Sequence, residues 1–244
     1  MFREYARQGF VELRQDHTVL PCDDNKTFGG WQMPMWRTEL FIRDPLMLTD
    51  CMYRHMYDFK HTLFLDFDEI LVPQMTRSLS EMIDVIESVY QTDDQPYNQL
   101  TFKSYFFLLD DLLIPKPADD SLPGFTSYLR HRKRLGPSPD NRRRKSVVSG
   151  TGCEFVNNHV CHVPITELKL EAPPQRQIYV SEEIAKIHHY RSTPCVKRSR
   201  TLIRCQGKVD SNRIFSDDAM LRYKAELIRN TRRQLKTLGL NMDA

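Results

Sequence analysis

Asp66, Asp68 and Glu69 interrupt an otherwise apolar run, HTLFLDFDEILVP, at residues 61–73. Burying a carboxylate without a partner is costly, so three in such a setting call for compensation. If the run is one strand, residues two apart share a face. Asp66 and Asp68 then project together, Phe67 turns into the core, and Glu69 points away to orient the segment. Two adjacent carboxylates repel unless a cation lies between them. An oxygen-loving divalent ion such as Mn²⁺ or Mg²⁺ suits the pair and leaves positions open for phosphate oxygens. In α/β sheets ligands gather beyond the carboxyl ends of strands, which is where these acids would lie. The plainer reading pairs both aspartates with arginine, or has them cap the next helix.

Two further groups carry chemistry-bearing residues. Cys153, His159, Cys161 and His162 are of types that bind zinc, but their spacing matches no common structural site. Three of them alternate along one short strand and cannot all face one ion without a bend. Chance proximity, or a disulfide made in an oxidising lumen, is the better account. Cys195 and Cys205 are a further candidate pair, although connectivity among six cysteines is not readable from sequence. His188 projects opposite to His189 on a strand and reads as core or surface.

The other group is basic. Residues 130–145 hold eight Lys or Arg against one Asp, a local charge of +7 within a chain of net +3. The rest of the chain is therefore mildly acidic, and the basic character belongs to one loop. RHRKR at 130–134 and RRRK at 142–145 resemble a bipartite nuclear signal or a polyanion-binding loop. No aromatics interleave the charges for base stacking, so a solvated loop is the plainer reading and no nucleic-acid partner is expected.

The elements that must position these residues follow from capping and periodicity. Asp44-Pro45 starts a helix, with Leu48, Cys51, Met52, His55 and Phe59 at helical spacing. It leads into a strand over 62–67. Ser78-Leu-Ser-Glu81 is a capping box, followed by the stripe Leu79, Met82, Ile83, Ile86 and Val89. Leu100 to Leu109 reads as one strand closed by Asp110-Asp111. A long exposed loop is expected from Pro115 to Asn141. Short strands follow at Ser146–Val148, Phe155-Val156, Gln177–Val180 and Ala185–Tyr190. A helix capped by Ser216 runs to Leu238 and stops at Gly239. Helices and strands in this rhythm indicate an α/β layered fold.

With 244 residues, 40% hydrophobic and 27% charged, the chain has the balance of a soluble globular protein. No run approaches the ~20 apolar residues of a membrane span, and the N-terminus has no apolar signal region. Read literally, this indicates a cytosolic protein. The glycosylation triplet at Asn25 is compatible with a lumenal one.

Taken together, several segments resemble glycosyltransferase family 92, once catalogued as domain of unknown function 23. DFDEILVP is similar to the family's Asp-x-Asp-Glu box closed by Pro. Tyr5 to Glu12 resembles its Tyr-x-x-x-Gly-x-Val segment, and Asp50-Cys51-Met-Tyr-Arg54 its Asn-Asp-Cys-x-x-Arg helix. Lys145-Ser-Val-Val with His159 fourteen residues on resembles its Lys-x-Ile-Val…His stretch. His189-Tyr190-Arg191 matches its late His-Tyr-Arg.

The resemblance implies a GT-A fold, a mixed α/β nucleotide-sugar-binding domain over 1–214, carrying the basic loop 115–145 and followed by a C-terminal helix at 215–244. It implies transfer of a hexose, galactose first, from UDP-galactose to a glycan acceptor in the Golgi. Asp66 and Asp68 would hold Mn²⁺ or Mg²⁺, with His189 as a further ligand and His159 its competitor. Lys145 and Arg191 would add positive charge near the donor phosphates. Inversion at the sugar would need a carboxylate base, for which Glu154 and Asp111 are candidates. The family's opening strand and helix, and its membrane anchor, have no counterpart ahead of Tyr5. The resemblance is therefore to an N-terminally truncated domain.

Two rival readings use the same features. Haloacid-dehalogenase-like phosphatases also place Asp-x-Asp after an apolar strand, with the first Asp, here Asp66, as nucleophile. Ile70 stands where that motif has Thr. The other rival is an inactive, truncated polyanion-binding protein built around the basic loop.

Overall fold

A computed structural model describes residues 6–7, 27–28, 31–32, 44–90, 97–109, 127–137, 144–157, 159, 161–162, 176–191 and 214–239. The architecture is mixed α/β, as expected, and centres on two sheets. Its strands in chain order are β1 (Thr27–Phe28), β2 (Trp31–Gln32), β3 (Thr62–Leu63), β4 (Glu69–Pro73), β5 (Tyr97–Phe102), β6 (Ser104–Leu108) and β7 (Lys133–Pro137). They continue with β8 (Lys145–Val148), β9 (Phe155–Val156), β10 (Cys161–His162), β11 (Arg176–Tyr179), β12 (Ala185–Arg191) and β13 (Ile214–Ser216). The helices are α1 (Asp44–His55), α2 (Leu79–Tyr90), α3 (Ser127–Arg130) and α4 (Lys224–Thr237). One sheet has the order β11-β5-β8-β3 and the other β13-β7-β6-β12-β4. In the first, β11 runs parallel to β5; in the second, β12 runs parallel to β6; the remaining pairs are antiparallel.

The run Leu100 to Leu109, expected as one strand, is two. Lys103 separates β5 from β6, which belong to different sheets. This single break lets one stretch of chain feed both layers. Leu100, Phe102 and Val147 from the first sheet meet Leu71, Ala185 and Ile187 from the second in one buried core. Met82 and Ile86 of α2 close that core. The capping box at the start of α2 is formed. Glu81 N–H donates to Ser78 Oγ at 3.2 Å, and Ser78 N–H donates to Glu81 Oε2 at 3.2 Å. Leu79 and Val89, at the edges of the predicted stripe, are exposed.

Alternation explains the rest of the layering. On β12, Ile187 joins the inter-sheet core, whereas Tyr190 packs on the opposite face with Tyr105 and Phe107. On β4, Leu71 faces the inter-sheet core and Val72 faces Leu129 and Met220. Helix α1 starts at Asp44-Pro45 as read and buries Met52 against Phe64, Val148, Cys153 and Val156.

Three expectations are corrected. The strand over 62–67 ends at Leu63, and a turn carries the acids to β4. The C-terminal helix begins at Lys224 rather than Ser216, after a 3₁₀ turn at Ala219–Tyr223. Ser216 is no cap: it ends β13, and its hydroxyl accepts from Lys133 Nζ at 2.6 Å. Asp217 instead braces the start of the 3₁₀ turn, its carboxylate accepting from Ala219 N–H at 3.1 Å. The exposed basic loop is also shorter than expected, because Lys133–Pro137 is the strand β7 and Arg134, partly buried, pairs with Asp217 at 3.0 Å. Gly239, with φ 66°, stops the helix where it was expected to.

Candidate active site

The acids lie in the turn between a strand of one sheet and a strand of the other. Glu69 N–H donates to Asp66 C=O at 3.0 Å, closing the turn, and Tyr190 N–H donates to Asp68 C=O at 2.7 Å, tying it to β12. In this geometry Phe67 does not enter the core, as strand alternation would have it. Its ring is 88% exposed. The side chains of Asp66 and Asp68 are 46% and 44% exposed.

Each acid has its own cationic or imidazole partner. Asp66 Oδ2 accepts from Lys145 Nζ at 3.0 Å, and Asp68 Oδ2 lies 3.1 Å from His189 Nε2. Glu69, almost fully buried, joins both pairs. Its Oε2 accepts from Lys145 Nζ at 2.9 Å and from Asp66 N–H at 3.1 Å; its Oε1 lies 3.2 Å from His189 Nδ1. Burial alone would raise the Glu69 carboxyl, but the hydrogen bonds from His189 and Lys145 outweigh it and hold the group down at about 2. Glu69 is therefore a carboxylate at neutral pH and only accepts.

The layering explains how these groups meet. Lys145 opens β8 and shares a face with Val147, so it points into the space between the sheets and is completely buried. His189 lies on the Ile187 face of β12 and is paired with Glu69 across the β12–β4 ladder. The site thus closes one end of the inter-sheet core. Phe106 packs beside His189 with ring centroids 4.9 Å apart.

His159 stands close by. Burial lowers its pKa; the Lys145 charge acts in the same direction, while Glu69 and Asp66 pull upward. Its Nδ1 is 2.9 Å from the Arg144 carbonyl, and its own carbonyl accepts from Ser146 Oγ at 2.7 Å. The hairpin carrying it is closed by a Cys153–Cys161 disulfide, so these cysteines are not zinc ligands. A buried amide and hydroxyl set on the outer face of the first sheet supports this hairpin. Gln99 Nε2 donates to Thr101 Oγ1 and to Ser146 Oγ, each at 2.9 Å, and Gln99 Oε1 accepts from Cys161 N–H at 3.0 Å.

The remaining candidates are not gathered here. Arg191 is exposed at the end of β12 and makes no ion pair among the described residues. Glu154 sits beside the disulfide, with one carboxyl oxygen buried without a hydrogen-bond partner, and is not in contact with the acids. Asp111 lies outside the described residues. His188, read as core or surface, is core: it is buried, stacked on Phe107 at 4.1 Å, and faces Asp217 on the far side of β12.

A metal fits part of this arrangement. Ligands adjacent on one octahedral ion lie roughly 3 Å apart for bonds of about 2.1 Å. The 3.1 Å separation of Asp68 Oδ2 and His189 Nε2 is of that size. With Nδ1 engaged by Glu69, the other nitrogen is the one left to face an ion. Asp66, in contrast, is balanced by Lys145. Among the described residues no three His, Cys, Asp or Glu side chains converge as a metal cage.

The sequence profile of glycosyltransferase family 92 matches residues 1–231. The chain belongs to glycosyltransferase family 92. The match runs through every segment that meets at the site, from the acidic turn to β8 and β12. Family membership sets aside the phosphatase reading of Asp66 and makes the chain a relative of sugar-transferring enzymes, with a sugar donor and an acceptor as its substrates. No curated protein matches the chain. No helix among the described residues of this family member is long and apolar enough to cross a membrane.

Proposed function

We propose that the chain is a GT-A-type, metal-dependent hexosyltransferase that moves galactose from UDP-galactose to a glycan. The observation that carries this reading is the Asp68–His189 pair, 3.1 Å apart, with the Asp68 side chain half-exposed and the His189 ring nearly buried, at the end of the two-sheet core in a family 92 chain. Asp68 and His189 would hold Mn²⁺ or Mg²⁺, and the remaining positions suit donor diphosphate oxygens. The chemistry such an ion would supply there is positive charge to offset that of the departing diphosphate. Asp66, with its charge balanced by buried Lys145, would orient the turn that receives the donor. The acceptor hydroxyl oxygen forms the new bond to C1, its proton passes to a base, and the bonding pair leaves with UDP. Glu154 and Asp111 remain the candidates for that base, and Arg191 and His159 for donor contacts. The Cys153–Cys161 bridge supports residence in an oxidising compartment such as the Golgi lumen.

Calorimetric titration with UDP and Mn²⁺ tests this. Binding is expected for the wild type and is expected to fall at least tenfold in Asp68→Asn and in His189→Ala. Binding unchanged in both variants would contradict the reading.

A further inference from the structure

We infer that Glu69 is a positioning residue: by holding His189 through Nδ1 and Lys145 through Nζ, one buried carboxylate sets the geometry of both acid pairs. The inference rests on the metal-site reading above and deepens it. The two oxygens of Glu69 divide the work. Oε1 takes the His189 ring, which turns Nε2 toward Asp68; Oε2 takes Lys145 and the Asp66 N–H, which brings the ammonium to Asp66. No other described group is bonded to both Lys145 and His189. Glu69 itself is fixed at the first position of β4, in register with His189 across the ladder, so its reach to the ring is set by strand pairing rather than by a mobile loop.

The chemistry requires a carboxylate. A Gln at this position keeps the shape but offers one acceptor and one donor. If its oxygen stays on Lys145, its amide N–H meets His189 Nδ1 and favours the ring form protonated at Nε2. That form presents a hydrogen, not a lone pair, to the Asp68 side. Outer hydrogen-bond partners of metal-binding histidines typically contribute about 10–100-fold in metal affinity.

The test compares the wild type, E69Q and E69D by two measurements. In metal-free protein, the His189 Nδ1–H proton is expected as a solvent-protected, downfield resonance that disappears in E69Q. In titrations with Mn²⁺ and UDP, E69Q is expected to lose about 10–100-fold in Mn²⁺ affinity while its melting curve stays cooperative. An unchanged Nδ1–H resonance in E69Q overturns the inference whatever the metal does. Mn²⁺ affinity within twofold of wild type in E69Q also overturns it, while leaving the metal reading standing. A wild type that binds no Mn²⁺ but shows a Glu69-dependent resonance supports the positioning role and defeats the metal reading alone. Should E69Q fail to fold, E69D decides, since it keeps the charge but withdraws it by one methylene. A shifted or lost resonance supports the inference, and an unchanged one overturns it.

Discussion

Lys145 and Glu69 are each completely or almost completely buried, and each gives the other its compensation. Removing the ammonium leaves a carboxylate in a site built for a pair. Lys145→Met is therefore expected to cost about 3–5 kcal/mol, read as a lower urea midpoint at unchanged slope. Phe67 is the opposite case. It stands on the exposed turn with its carbonyl 3.4 Å from the Tyr128 hydroxyl, and its ring is directed away from the core between the two acids. Phe67→Ser is expected to change stability by less than about 0.5 kcal/mol. If the ring forms part of the acceptor surface, KM for the glycan rises with kcat little changed, a split that steady-state kinetics resolves. The acids themselves were legible in the sequence because carboxylates in an apolar run demand partners. Their orientation was not, since the alternation rule presumes a continuous strand, whereas β3 stops at Leu63 and the chain turns at Phe67 and Asp68 to change sheets. The partners also lay beyond local reading: Lys145 is 79 residues from Asp66 and His189 is 121 from Asp68.

At the scale of elements, the signals that were local proved reliable. The box at the start of α2 needs only four residues, and its hydrogen bonds are present. Ser78→Ala is expected to cost about 1 kcal/mol in chemical denaturation. The β5–β6 break at Lys103 had no such marker, because both halves of the run are equally apolar and aromatic. The hairpin of β9 and β10 depends on a covalent link that cysteine spacing alone did not single out. Its loop is short, and closing it restrains the unfolded chain by about 2.5 kcal/mol in the chain-entropy view. Reduction is expected to lower the melting temperature and to broaden the ring resonances of His159, which this hairpin carries.

The whole molecule places a neutral imidazole deep under its second sheet. Burial pushes His188 down to about 3; Asp217 pulls it upward, while Lys186 and Arg134 reinforce the shift. In the unfolded chain the same group titrates near 6.5. Between those values the unfolded state binds a proton that the folded state refuses, so stability rises with pH across the interval. The contribution is complete above about pH 6.5 and is lost as pH falls toward 3, a change on the order of 4 kcal/mol. Glu69 adds a separate loss lower down, between its ordinary 4.5 and about 2. Thermal melts from pH 7 to pH 4 are expected to show the first fall, and His188→Phe, which keeps the stack on Phe107, is expected to flatten it.

Lys145 comes from one sheet, Glu69 and His189 come from the other, and the aspartates sit on one of the connections that cross between them, the turn from β3 to β4. The cluster is thus a product of assembly, not a property of either layer. On the proposed function, an intermediate with one sheet formed would be blind to the donor, and a ligand that recognises the completed cluster would act as glue across the seam. Its occupancy reports on the integrity of the entire protein, and saturating it delays the collapse of both halves together.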